Sequence, residues 1–453
     1  MRTSWLPDES KGFTGRALLK YFERLRAPSG PDAMKILLLN QCFYPDVVST
    51  AQHLTDLAVR LAEEGHDVTV LASSRGYDNP RLRFPKREVW KKIKIRRLPV
   101  LGLGKKARWR RALDFASFFM SAVLRLLLTR RSDLTLAMTS PPLISFLGAL
   151  FVRLKGGRFA FWVMDLNPDE AIAAGWLTEN SFAARFFGAL LRYSLRQAES
   201  IFVLDRFMKE RLLAKGLAEK RIFVIPPWSH DRDIRYDEDG RRSFRARHGL
   251  TDKFVVMYSG NHSPCHPLDT LLEAAHRLSA QKSIVFCFIG GGSEHEKVRL
   301  FALQQGLENI VCLPYQPLDA LSASLSAADL QVVVMGEGFA GIVHPCKIYN
   351  ILAIGSPFLY IGPEESHVTD LLPRLERGFP ASSASHGDVK AVVHYILESA
   401  RLERSTGARQ TSKLAAEFSQ ELLLPRLVQA LHAASACSAL YHPVTTESKA
   451  RSA

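Results

Sequence analysis

The sequence predicts an α/β protein made of two parallel-sheet halves, with a linker between them and helices at the end. Three observations carry this expectation. At 453 residues the chain exceeds one ordinary core, and roughly 100–200 residues per domain points to two or three units. Short apolar runs alternate with longer runs of helical periodicity, the pattern of βαβ units and a parallel sheet. The alternation breaks over the polar stretch 229–252 and restarts at Lys253. Hydrophobic residues at 47% and charged residues at 23% are ordinary for folded domains and exclude a disordered chain.

Taken in order, residues 1–33 form a basic N-terminal extension without the continuous apolar core of a secretory signal, and Met34 reads as the natural start. The run Met34–Gln41 is the first strand. Leu54, Leu57, Ala58, Leu61 and Ala62 share one face of the helix that follows, Gly65 caps it, and Asp67–Ala72 is the second strand. No GxGxxG closes the first strand, so a nicotinamide-dinucleotide fingerprint is missing. Pro141 and Pro142 divide the uncharged run from Leu134 to Val152 into a strand and a buried helix, which favours a soluble reading over a membrane span. The strand Arg158–Met164 ends in Asp165-Leu-Asn-Pro-Asp169, where ligands of open α/β sheets lie. Asp165 is therefore a candidate for chemistry, and Asp169 a helix cap. A last strand, 200–204, and the run 221–225 complete a first domain, 34–228. After the linker, strands at 253–258, 284–289, 310–313, 330–335 and 358–361 alternate with helices in a second domain, 253–434. Residues 435–453 read as a disordered tail. The two halves are Rossmann-like and face each other across a cleft.

The net charge of +15 calls for an anionic partner: nucleic acid, lipid surface or phosphorylated substrate. From Arg81 to Arg111 the chain carries fourteen Lys or Arg residues, one acid, Glu88, and the aromatic residues Trp90 and Trp109. The apolar helix 113–128 follows directly, a combination that suits an anionic membrane surface. Six cysteines without CxxC or Cys/His ligand spacing point to neither a disulfide framework nor a zinc site, and fit a reducing cytoplasm.

The densest functional signal is Gly336–Pro357. Gly336, Gly338 and Gly341 allow close backbone approach, Pro345 suits the first turn of a helix, and Lys347, Tyr349 and Asn350 follow. A helix N-terminus beside Lys347 is suited to a phosphate or diphosphate.

These stretches together resemble the family-4 retaining glycosyltransferases of GT-B fold, especially those that assemble bacterial surface polysaccharides on a lipid carrier. The resemblance runs from Met34 to about Ala434. It is carried by Met34-Lys-Ile-Leu-Leu-Leu-Asn, Trp162–Asp169, Tyr258–His262 with Leu271–Ala275, Phe288–Gly292 and Pro345–Pro357. It implies transfer of a sugar from a nucleoside diphosphate sugar, UDP-linked by expectation, to a lipid-linked or polysaccharide acceptor at the inner face of the cell membrane. Catalytic roles then fall to Asp165 and Lys347. Donor contacts fall to Gly260, Asn261, His262, His266, Tyr315, Gln316, Gly341, Ile342, Val343 and Asn350. Asn261 and His266 stand where such enzymes often place Arg and Lys. Asn350 replaces the second of their paired glutamates, leaving Glu337 as counterpart of the first. Neither a cofactor nor a metal is expected, since no Asp-x-Asp pair stands where the diphosphate belongs. Two alternatives remain: an epimerase of nucleotide sugars with the same architecture, and a nucleic-acid-binding protein using the 81–111 patch.

Overall fold

The computed structural model describes residues 33–77, 79–104, 108–229, 234–403 and 412–439. Residues 1–32 of the expected extension, Lys105, Lys106 and residues 440–453 of the expected tail lie outside them. The first unit contains β1 (Lys35–Leu39), α1 (Ser49–Glu63), β2 (Asp67–Ser73), β3 (Arg87–Trp90), β4 (Ile93–Leu98), α2 (Arg108–Leu127), β5 (Leu134–Ala137), α3 (Ile144–Lys155), β6 (Arg158–Trp162), α4 (Asp169–Ala173), α5 (Phe182–Gln197), β7 (Ser200–Val203), α6 (Arg206–Ala214) and β8 (Ile222–Val224). Its sheet has the order β3-β4-β2-β1-β5-β6-β7-β8, parallel except for the antiparallel β3–β4 pair.

The second unit contains α7 (Glu238–Arg247), β9 (Phe254–Asn261), α8 (Asp269–Arg277), β10 (Ile284–Gly291), α9 (Ser293–Gln304), β11 (Ile310–Leu313), α10 (Leu321–Ser326), β12 (Leu330–Val334), α11 (Lys347–Ala353), β13 (Phe358–Ile361), β14 (Ala381–Ala384), α12 (Val389–Glu403) and α13 (Gln420–Ala439). Its sheet has the order β11-β10-β9-β12-β13-β14, and all its pairs are parallel.

Apolar periodicity builds both cores. On α1, Leu54, Leu57, Ala58 and Leu61 are fully buried against the sheet, and each such leucine contributes roughly 1.5–3 kcal/mol by leaving water. Among the described residues no helix is long and apolar enough to cross a membrane.

Three features differ from what the patterns suggest. Part of the basic stretch forms the β3–β4 hairpin, turned at Lys91 and Lys92 with φ of 46° and 64°. Its alternation Ile93-Lys-Ile-Arg places Ile93 and Ile95 inward, and Arg97 is buried with its guanidinium 2.8 Å from Glu88. The stretch is therefore not one continuous solvated face. The polar run 229–252 contains α7, whose Arg245 is buried and donates to both oxygens of Asp329 at 2.9 and 3.0 Å. Finally, Leu423, Leu427, Val428 and Leu431 of α13 join the same buried cluster as Leu54 and Leu57, so the chain returns to the first unit at its end. Where it crosses back, the Ser229 N–H donates to the Phe418 carbonyl at 2.8 Å.

Candidate active site

The carboxyl ends of β6, β7, β9 and β12 converge on the seam between the units. Gly260 takes φ +134°, a conformation that favours glycine, and a Cβ there would lie 3.3 Å from Lys347 Nζ, so the lysine head packs closely over this backbone. Lys347 is the first residue of α11, and its Nζ lies 3.3 Å from the centroid of the buried Tyr258 ring. This nitrogen is buried and has no hydrogen-bond partner. Burial holds its pKa well below the usual lysine value.

His262 and His266 are pushed down to about 3, first by burial and then by the Lys347 charge, and are therefore neutral imidazoles. The His262 Nδ1–H donates to the Gly260 carbonyl at 2.9 Å, and the His266 Nδ1–H to the Val334 carbonyl at 2.8 Å. Each Nε2 then carries a lone pair, and that of His262 is without a partner. His262 thus presents an acceptor, suited to a hydroxyl. Beside it, Asn261 is exposed at the end of β9, with its carbonyl accepting from the Tyr258 hydroxyl at 2.9 Å. Tyr315 is exposed and its hydroxyl donates to the Gly291 carbonyl at 3.3 Å, while Gln316 Nε2 donates to the Pro314 carbonyl at 2.9 Å. Asn350 is half-buried one turn along α11.

Gly341, Ile342 and Val343 dock the units together. Gly341 takes φ +69°, and a Cβ there would lie 2.7 Å from the Phe207 backbone. The Leu166 N–H donates to the Ile342 carbonyl at 2.9 Å, and Ile342 and Val343 are buried in the first unit's core cluster.

From the first unit, Asp165 reaches this seam half-buried on the loop after β6. Burial, then the neighbouring Glu170 carboxylate, raise its pKa to about 8 against the opposing pull of Arg111. Asp169 opens α4 and pairs with Lys215 at 2.7 Å, a structural role. Sequence reasoning missed Glu170, whose Oε1 lies 3.6 Å from Cys265 Sγ of the other unit; nothing in the carboxylate run 165–170 singles it out.

It also missed a buried relay across the seam. His344 Nδ1–H donates to Asp205 at 2.7 Å, and His344 Nε2 lies 2.7 Å from the Tyr349 hydroxyl. Asp205 caps α6 through the Met208 N–H at 2.7 Å and is depressed to about 2: burial alone would raise it, and the hydrogen bond and charge of His344 outweigh that. His367 stacks on His344 with ring centroids 3.6 Å apart. Asp205, His344 and His367 are close enough to suggest a metal site, but His344 commits one ring nitrogen to Asp205 and the other to Tyr349. The relay therefore ties α6 to α11, the helix that carries Lys347.

Two family models match the chain: the glycosyl transferase 4-like domain over residues 50–228, and glycosyl transferases group 1 over residues 240–357. The chain is a glycosyltransferase. It is 27% identical over 340 residues to the putative colanic acid biosynthesis glycosyl transferase WcaI of Escherichia coli strain K12, spanning 71% of this chain and 82% of that protein. The probable glycosyltransferase WbjE of Pseudomonas aeruginosa is 23% identical over 321 residues, spanning 71% of this chain and 77% of the relative. Among solved structures, Anabaena Alr3699/HepE in complex with UDP and glucose superposes with a TM-score of 0.66 at 14% identity, covering 88% of this chain and 99% of that one. The architecture of this glycosyltransferase is thus GT-B, as its motifs led us to expect.

Proposed function

We propose that the enzyme transfers a glycosyl group from a UDP-linked sugar to a lipid-linked or polysaccharide acceptor, with retention of configuration, in cell-surface polysaccharide biosynthesis. The observation that carries this reading is Lys347: a buried amine without a hydrogen-bond partner, held over the Tyr258 ring opposite Gly260 at the interdomain seam. Burying such a group without compensation costs several kcal/mol, and a diphosphate supplies the missing counter-charge. The names of the colanic acid relative and of the neighbour bound to UDP and glucose support the pathway and the nucleotide.

In the reaction, bond cleavage at the anomeric carbon builds negative charge on the leaving diphosphate. Lys347 meets that charge in a water-poor cleft, where a positioned donor is worth more than in water. His262 and His266 accept hydrogen bonds from sugar hydroxyls, and Asn261 flanks the phosphates. Tyr315 and Gln316 lie beside the base, and Asn350 together with Gly341, Ile342 and Val343 borders the sugar. Asp165 orients the acceptor hydroxyl from the opposite unit and receives or relays its proton; a pKa near 8 suits a group that exchanges protons near neutrality. No metal is assigned a role.

The first unit (34–228) serves the acceptor and the second (253–434) the donor. Helix α2 exposes Trp109, Leu113, Met120 and Leu124 beside the basic stretch, which fits peripheral binding to an anionic membrane from the cytoplasmic side. The test is a thermal-shift panel of UDP-, GDP- and ADP-sugars, followed by label transfer from the stabilising donor to lipid-linked glycans. A specific donor should stabilise the fold and be consumed only with acceptor. Conversion of the donor without acceptor would indicate an epimerase instead, and no stabilisation by any donor would overturn the reading.

A further inference from the structure

A second set of unpartnered polar atoms lies in the first unit, at the carboxyl ends of β1, β2 and β4. A cavity of about 30 Å³ there is lined by Gln41, Ser73, Arg75, Tyr77, Arg111 and Asp114, among others. Gln41 is only 7% exposed, and its carboxamide oxygen has no hydrogen-bond partner. Arg111 Nε is likewise buried and unpartnered. Arg75 is held in place through Nε to the Val100 carbonyl at 3.2 Å and Nη1 to the Pro80 carbonyl at 3.0 Å. The oxygens of Asp114 accept from the Leu103 N–H at 2.9 Å and the Gly104 N–H at 3.0 Å, and among the described residues it forms no ion pair with Arg75 or Arg111.

Two guanidiniums, a carboxamide and the Ser73 hydroxyl thus line a space that holds one or two water-sized groups, room for one or two oxygens of a phosphate at its mouth but not for a hexose ring. Arginine forks are matched to tetrahedral oxyanions. The surroundings are amphiphilic: Arg111, Asp114 and Phe115 come from α2, whose outer face exposes Met120 at 60% and Leu124 at 58%. Leu101 and Leu103 are exposed on the adjoining loop. Arg111 also acts on Asp165, which places the cavity within electrostatic reach of the seam.

We propose that Arg75, Arg111 and Gln41 form a subsite for the phosphate of a prenyl-type lipid carrier, with the hydrocarbon leaving along the exposed face of α2. This rests on the glycosyl-transfer reading for its biological meaning, but phosphate binding can be measured without it. Gln41 turns its carboxamide nitrogen to the anion, an orientation open to it because the oxygen has no bond to lose.

The test uses the Lys347→Ala protein, so that the donor-side cation does not contribute, and measures binding of inorganic phosphate and of farnesyl phosphate by calorimetry. Both should bind, farnesyl phosphate more tightly. Adding Arg111→Gln or Gln41→Met should weaken both by about tenfold, the value of one charge-assisted hydrogen bond. Lys86→Gln, on the exposed basic surface, should change neither. Gln41→Met keeps the comparison sound if Arg111→Gln proves unstable. The proposal is overturned if phosphate does not bind the Lys347→Ala protein, if neither added substitution weakens it, or if acetate competes equally well. Equal affinity for the two phosphates overturns the lipid assignment. Failure of every nucleotide sugar to react would sink the functional reading and leave these binding results standing.

Discussion

Replacing Lys347 separates a binding cation from a surface lysine by two effects of opposite sign. Its nitrogen lies buried over the Tyr258 ring without a hydrogen bond, so the fold bears a desolvation cost of ~1–3 kcal/mol at that atom. Lys347→Ala should therefore leave stability to urea unchanged or raised, once the lost methylenes are offset, and Lys347→Met should raise it by about that amount. Catalysis should move the other way. Removing one donor from a preorganised site costs about 10²–10³ in turnover, equivalent to ~2.7–4 kcal/mol. Affinity for UDP should drop by roughly tenfold or more, and affinity for UMP less, because the second phosphate carries the charge that Lys347 meets. Lys347→Arg should rescue only in part, because a planar fork does not replace a compact ammonium. Chemical denaturation, calorimetry with both nucleotides and label transfer measure the three quantities. Near-normal turnover and UDP affinity in Lys347→Ala would refute the placement of the donor site.

Three further outcomes follow from the geometry. Gly260→Ala forces a side chain into φ +134° and against Lys347 Nζ, so transfer should fall by about 10² and stability by ~1–3 kcal/mol; unaltered turnover would show that the ammonium does not act from this position. Asp165, raised from 3.8 to about 8, contributes stability that is fully present below pH 3.8 and is lost as pH rises through about 8. Asp165→Asn should therefore gain on wild type in denaturation midpoint between pH 5 and 9, and a constant difference would contradict the raised pKa. Vesicles containing anionic lipid should bind the protein and neutral vesicles should not, with Met120→Ser/Leu124→Ser weakening binding; binding indifferent to lipid charge would remove the basic stretch from the membrane reading.

The fold was legible where burial and period agree. Strands such as Lys35–Leu39 and Leu330–Val334 are almost wholly apolar, Lys35 and Gln331 excepted, because both faces of a central parallel strand are covered, and helices such as Ser49–Glu63 show one clear apolar face. The edge hairpin β3–β4 was hidden because an edge strand tolerates charge on its outer face, and Lys91-Lys92 lacks the Asn-Gly signal of a tight turn. Helix α7 was hidden because its buried face is held by Arg245 with Asp329, and a hydrophobicity pattern does not register a buried ion pair. That Lys347 opens a helix was legible from its place after Pro345, since that argument needs only local chain geometry. The tautomer of His262, the relay from Asp205 to Tyr349 and the Gln41–Arg111 cavity depend on partners far away in sequence, and no spacing rule reaches them.

The seam also shows why these groups can coexist in one cleft. Lys347, His262 and His266 are close enough to perturb one another, and three protonated groups there would repel strongly. Burial resolves the conflict by holding both imidazoles neutral and drawing the lysine down, just as it holds a proton on Asp165 below about pH 8. In the proposed reading an arriving diphosphate would reverse the balance at Lys347, because an opposite charge in a low-dielectric site favours the protonated amine by more than it would in water. On that reading, donor binding therefore shifts Lys347 back towards its protonated form. The relay through His344 fixes α11 against the first unit, so in the proposed reading the lysine would act from a helix that does not have to reorganise.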